Sequence, residues 1–351
     1  MLTGLPDTCN ASKEHTVKNW RILRILFFSV AGMVMVIWLL RSINPNEVFR
    51  MLLNSDWRFW SGGAVFGILS HMVNGKRISW CIGRHLPGGQ AAAVSAVHAA
   101  TLSFLPMRSG ELSFILLTRK YAGRNVTGSI AGLGLMRFSD IVVFLVLSSC
   151  STIMVLLTVR HLVVPLLILT ILVLCLLLAV IVLAVHGSSF LRRLHDYVGF
   201  PPLRRVITIA IDVLKEVRTT AGRMVLQRVL FLTFVYWSLV LAQSYLFFLS
   251  FLYIRPDNYI ILFSMVNLVA LLPVHGFLNI GTNEVVNVAI LGMLGYAMGT
   301  ATGVAIGCHL LTIMSSVVFG GSGVILLTVF GVVFPVSHKK TNQPDTPLEI
   351  D

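Results

Sequence analysis

The chain has 351 residues, of which 56% are hydrophobic and only 12% charged, with a mean hydropathy of +0.86. Soluble domains carry about 25% charged residues, so this chain is solvated mostly by lipid and leaves no catalytic domain of ordinary size outside the bilayer. Its net charge of +13 lies in short basic clusters, which is the positive-inside pattern of membrane proteins and not a nucleic-acid interface.

Residues 1–21 are polar and basic and read as a cytoplasmic segment. A first span follows at about 22–40; no small-residue cleavage site comes after it, so it reads as a retained anchor. The second span runs from about 59 to 73, towards the basic cluster Lys76, Arg77 and Arg84. Residues 91–105 are apolar and small, but fall short of the roughly twenty residues a helix needs to cross. Pro106, Met107, Arg108, Ser109 and Gly110 then break that helix, and a short one begins at Glu111 and ends in Arg119, Lys120 and Arg124. Both flanks are basic, so a re-entrant hairpin opening to the cytoplasm is expected.

Spans at about 130–158 and 162–185 come next, separated by the Arg160–His161 turn. Residues 186–228 hold eight Lys/Arg against three Asp/Glu and include an amphipathic stretch that reads as a surface helix beside anionic headgroups. A span at about 229–252 leads to a second broken pair: 259–272, a break over 273–282, and 283–294. A last span at about 302–334 reaches the basic tail, 336–351. The expected fold is an all-α polytopic membrane protein, with about six full spans and two oppositely oriented re-entrant hairpins forming an inverted repeat. The integral domain is then 22–335, with both termini cytoplasmic in the cell inner membrane. The five cysteines are scattered and suggest neither a zinc site nor a disulfide framework. The sequons at Asn10 and Asn125 read as chance matches.

Spacing supports the duplication. Glu111 precedes Arg137 by 26 residues and Glu284 precedes His309 by 25, while Gly123 to Arg137 and Gly295 to His309 are both 14. Glu284 is the only Asp, Glu, Lys or Arg between Tyr259 and Pro335, and an ionised carboxylate in hydrocarbon is costly unless it faces water, a partner or a ligand. Two readings stand for Glu111 and Glu284: caps for free N–H groups at half-helix starts, or protonatable carboxylates of a pathway. Arg137 and Asp140, at i,i+3, either pair internally or leave a guanidinium to grip phosphate, together with Arg108. The half-helix N-termini at Gly110 and Gly281 add N–H donors suited to an anion. His275 and His309 are the other polar candidates, although a membrane histidine is more often a hydrogen-bond partner between helices; His71 and His98 read the same way. Asn74, Asn267, Asn279 and Asn283 are candidates to line the same cavity.

LPMRSGE with the later MRFSD, followed by LLPVHGFLNIGTNE, resembles the lysylphosphatidylglycerol synthase transmembrane-region family. That family includes the flippase half of the multiple peptide resistance factor and standalone relatives. The resemblance spans about residues 20–335 and implies a lipid-translocating domain with two re-entrant pairs. Pro106, Arg108, Gly110, Glu111, Arg137 and Asp140 match its first half; Pro273, Gly276, Gly281 and Glu284 match its second. The family often carries further arginines where Ser113 and Phe114 stand and near His309, so the grip on a headgroup is expected to differ here. The resistance factor's aminoacyl-transferase domain has no counterpart in these residues, so lysine transfer is not expected of them.

The reading that follows is transfer of an anionic phospholipid or polyprenyl/glycolipid between leaflets, with no cofactor, no metal and no nucleic acid. A lipid-modifying synthase or a second copy of the chain are the protein partners open to it. Two alternatives stand beside it. One is a membrane-embedded glycosyl- or phospho-transferase acting on a lipid phosphate, for which only Glu111, Asp140 and Glu284 are at hand in the membrane. The other is an accessory subunit of a cell-envelope lipid synthase, docked through 186–228.

Overall fold

A computed structural model describes residues 50, 53–158, 163–198, 200–220, 222–270 and 281–333. Among these the chain forms ten α-helices, one short 3-10 turn and no strand, as an all-α membrane protein should. The expected 22–40 span, the 160–161 turn, most of the second break and the 336–351 tail lie outside the described residues.

Helix α1 (Trp57–Ile82) begins where the Asp56 carboxylate accepts the Arg58 N–H at 2.9 Å. It runs through the basic cluster that the sequence placed at its end. Its buried face is a stripe of Gly63, Gly67, Ser70, Asn74, Arg77 and Cys81, three or four residues apart. Helix α2 (Gly88–Phe104) packs against part of α1, where Asn74 bonds Ser95, while Gly63 and Gly67 face Phe247 and Phe319. A Cβ on Gly75 would lie 2.4 Å from the Ala91 carbonyl carbon, so only glycine permits this backbone contact, as is common between membrane helices.

The first break is the 3-10 turn Pro106–Arg108, with Pro106 at its first position, where a missing N–H costs nothing. Helix α3 (Glu111–Ala122) follows, and Gly123 at φ 61° ends it before α4 (Val126–Thr158). The second copy repeats this plan. Helix α8 (Pro256–Ala270) precedes α9 (Thr282–Met293) in the chain, and α10 (Met298–Val333) begins after Gly295 at φ 89°. Both short helices have 12 residues. Gly123 and Gly295 both sit in the left-handed region, which an L side chain enters only at a cost. The spacing expected of a duplication therefore corresponds to a shared backbone design.

Between the copies lie α5 (Val163–Tyr197), α6 (Pro201–Thr220) and α7 (Arg223–Leu249). Helix α5 carries the chain unbroken into the basic region, and α6 is the expected amphipathic helix, resting on α4 and α5. The Arg124–Glu216 ion pair ties α6 to the start of α4. The Asn125 side-chain oxygen accepts the Gly128 N–H at 2.7 Å and so caps α4. Among the described residues three stretches are long and apolar enough to cross a membrane: Val126–Ile153, Arg223–Leu249 and Met298–Val329.

The two copies interlock. Helix α2 of the first packs on α10 of the second, and α8 of the second packs on α4 of the first. Each long helix thus supports the other copy's broken pair. One apolar cluster gathers side chains such as Phe144, Phe248, Ile261 and Leu291 around the second pair; another, including Ile78, Val94, Phe114 and Met136, surrounds the first. Where the broken pairs approach each other, the packing opens into a cavity whose mainly apolar lining carries polar side chains from both copies.

Candidate functional site

A cavity of about 450 Å³ lies between the two broken pairs, bounded also by α1, α4, α7 and α10. Arg108 and Arg137 line it from the first copy; Asn267, Asn283, Asn287 and His309 line it from the second. Its volume falls within the range of small-molecule sites.

The first copy's chemistry is a network of ion pairs. Glu111 accepts from Arg137 at 2.9 Å and from Arg108 at 3.5 Å. Arg137 also reaches Asp140 at 3.3 Å. The internal Arg137–Asp140 pair expected from the sequence therefore exists, but it is the longer of Arg137's two contacts. Asp140 spends its other oxygen on two donors, Arg77 Nη1 and Trp237 Nε1, each at 2.8 Å. Arg77 and Asp140 are each 2% exposed, and the Arg77 guanidinium lies over the Tyr236 ring, 5.0 Å from its centre. This is the charge most thoroughly removed from solvent, since Arg137 and Glu111 keep 27% and 28% of their side-chain surface.

Arg77 was not among the site residues expected from the sequence, where it stands in the basic cluster towards which the second span runs. The buried stripe of α1 carries the signal. Small and polar residues recur at three- and four-residue steps from Gly63, and Arg77 falls on the next step after Asn74. A charged residue in phase with a helix-packing face points inward.

Arg108 joins the two copies. It is the only non-glycine with positive φ among the described residues, at 55°, in a region that costs such residues about 1–2 kcal/mol. Its Nη2 donates to the carbonyl of Ala270, the last residue of α8. The strained turn in one copy thus aims its guanidinium at a backbone carbonyl of the other.

The second copy is built differently. Glu284 is 6% exposed; one oxygen accepts the Gly281 N–H at 2.7 Å, and the other meets His309 Nδ1 on α10. The capping reading thus holds for Glu284. It does not hold for Glu111, since no side chain caps α3 at Gly110 and its carboxylate serves the arginines. The Gly281 N–H, expected to be open to an anion, is occupied by the protein's own carboxylate. His309 is the partner of Glu284, whereas Arg137 and Asp140 belong to the Glu111 and Arg77 network. The sequence intervals of 26 and 25 residues correspond to real contacts, Glu111–Arg137 and Glu284–His309.

The remaining candidates divide plainly. Asn267 and Asn283 line the cavity with Asn287, which was not singled out from the sequence and whose amide donates to the Asn283 carbonyl at 2.8 Å. Asn74 does not line it: its amide donates to Ser95 at 2.8 Å, between α1 and α2. His98 bonds Ser113 at 2.9 Å and meets the Phe114 ring edge-on, the helix-to-helix role expected of it. His71 does line the cavity, with Ser95 at 3.3 Å as its partner. Pro273, His275, Gly276 and Asn279 lie outside the described residues. The three carboxylates that a transferase would use are engaged with Arg77, Arg108, Arg137 and His309.

No curated protein matches the chain at a significant level. The model of the lysylphosphatidylglycerol synthase TM region matches residues 21–320, and with that match across most of its length the chain belongs to this lipid-related membrane family.

Proposed function

We propose that the protein moves an anionic phospholipid or glycolipid between leaflets, its headgroup passing through the cavity while the chains stay in the bilayer. One observation carries this reading: two guanidinium groups, Arg108 and Arg137, line a cavity among otherwise apolar helices. Arginine suits a phosphate there, because its planar fork donates two hydrogen bonds at once and keeps its charge. Asparagines on the facing wall can bond the uncharged part of a headgroup. Glu111 holds the Arg137 fork in place until a phosphate competes for it.

The duplicated plan fits alternating access, in which two oppositely oriented copies rock around one central site. On this reading the termini and the basic 186–228 region face the cytoplasm, and the membrane is the cell inner membrane. No nucleotide-binding motif stands in the sequence, so movement is passive or driven by an ion gradient. Native mass spectrometry of the purified protein tests the lipid assignment. Wild type should retain an anionic lipid, and Arg108→Ala and Arg137→Ala should each lose it while staying folded. A phosphate-free lipid retained equally by all three proteins overturns the reading.

A further inference from the structure

We infer that the His309–Glu284 pair is a proton site that makes the transport an electroneutral symport of one proton with each anionic headgroup. This rests on the proposed lipid transport and adds its coupling. Charge balance at the cavity sets the stoichiometry. Arg77, Arg108 and Arg137 are balanced by Glu111, Asp140 and Glu284, so the charged groups at and behind the cavity sum to zero when His309 is neutral. A phosphodiester brings one negative charge into a region where an uncompensated charge is costly. One proton on the His309–Glu284 pair restores neutrality. The proton is assigned to the pair because the two side chains are in direct contact and can share it.

Geometry selects this pair over the other titratable groups. His309 lines the cavity, and Glu284 is held against it from α9. Facing the same space are His71 on α1, Arg108 in the 3-10 turn, Arg137 on α4, Tyr236 on α7 and Tyr259 on α8, with Cys308 beside His309 on α10. The arginines keep their charge at any accessible pH. Tyr and Cys ionise only well above neutrality, whereas the coupling needs a group that gains a proton near neutral pH, as histidine does. His71 has a serine partner at 3.3 Å and no carboxylate. His98 is 2% exposed and bonded to Ser113, away from the cavity wall. Among the histidines of the described membrane helices, only His309 joins cavity access to a carboxylate.

The two half-sites then divide the work. The first copy supplies fixed positive charge for the phosphate, and the second supplies one that comes and goes with a proton. The loaded cavity (headgroup plus proton) and the empty one are both neutral, so both can reorient without moving charge across the bilayer.

The test uses full-length protein in phosphatidylcholine vesicles holding a trace of tail-labelled fluorescent phosphatidylglycerol, with leaflet populations read by dithionite quenching. With the outside one pH unit more acidic, wild type should enrich the probe in the inner leaflet about tenfold, because one proton per lipid transmits one pH unit as one decade. A potassium diffusion potential should leave that ratio unchanged. Glu284→Gln keeps an acceptor for Gly281 but removes a charge, so its ratio should fall to about one under the pH gradient and shift with the potential. His309→Gln should also lose the pH response. Rapid flipping by wild type with a ratio indifferent to the gradient overturns the coupling and leaves the transport reading intact. Wild type that flips no probe defeats the transport reading, and the coupling with it.

Discussion

The two broken helix pairs share a backbone plan and differ in what their carboxylates do. In the first, Glu111 is about a quarter exposed and lies between two arginines. In the second, Glu284 is buried, caps the half-helix at Gly281 and holds a histidine. The interlocking helices and the left-handed glycines recur in both halves, so the halves share a frame while their side chains differ. A symmetric frame with an asymmetric site lets one half bind a charge permanently and the other respond to conditions.

The largest expected break in that contrast is at Asp140. It compensates the buried Arg77, and removing one partner of a buried pair costs about 3–5 kcal/mol because the other charge is stranded. Asp140→Ala should therefore lower the melting temperature in detergent sharply. Asp140→Leu combined with Arg77→Met should recover much of the loss. A single variant as stable as wild type would show that the pair is solvated after all.

Next come the carboxylates themselves. Glu284→Ala removes a helix cap and a buried histidine's partner, together about 1–3 kcal/mol. Glu111→Ala breaks pairs that water partly screens, and should cost about 1 kcal/mol or less. Parallel denaturant titrations compare them, and equal losses would erase the distinction between the two sites. Arg108→Gly is expected to change stability least. Relief of the positive φ, about 1 kcal/mol, offsets the lost hydrogen bond to the Ala270 carbonyl, about 0.5–1.5 kcal/mol. Lipid retention should nevertheless fall, which separates this residue's binding role from its structural one.

Much of the frame was legible in the sequence because membrane helices announce themselves by length, proline, glycine and charge. The matching Glu111–Arg137 and Glu284–His309 intervals were legible as a repeat, and the structure shows that both pairs are contacts. What could not be read was which side of a helix a residue takes when its neighbours suggest a loop. Arg77 stands beside Lys76 and before Arg84 and looks like loop charge, yet it is buried because α1 continues through it. Nor could the sequence separate cap from ion-pair partner for two glutamates in equivalent places. That depends on whether the nearest cation is a permanent guanidinium close by, as at Arg137, or a histidine.

The central claim is that one cavity, with arginines on one wall and a carboxylate–histidine pair on the other, carries an anionic headgroup across the bilayer. The most direct measurement is dithionite-accessible flipping of tail-labelled phosphatidylglycerol and phosphatidylcholine in matched proteoliposomes. Wild type should flip the anionic probe and spare the zwitterionic one, and Arg137→Ala should slow the anionic probe at least tenfold. Equal flipping of both probes by wild type, unchanged in Arg137→Ala, would contradict the account.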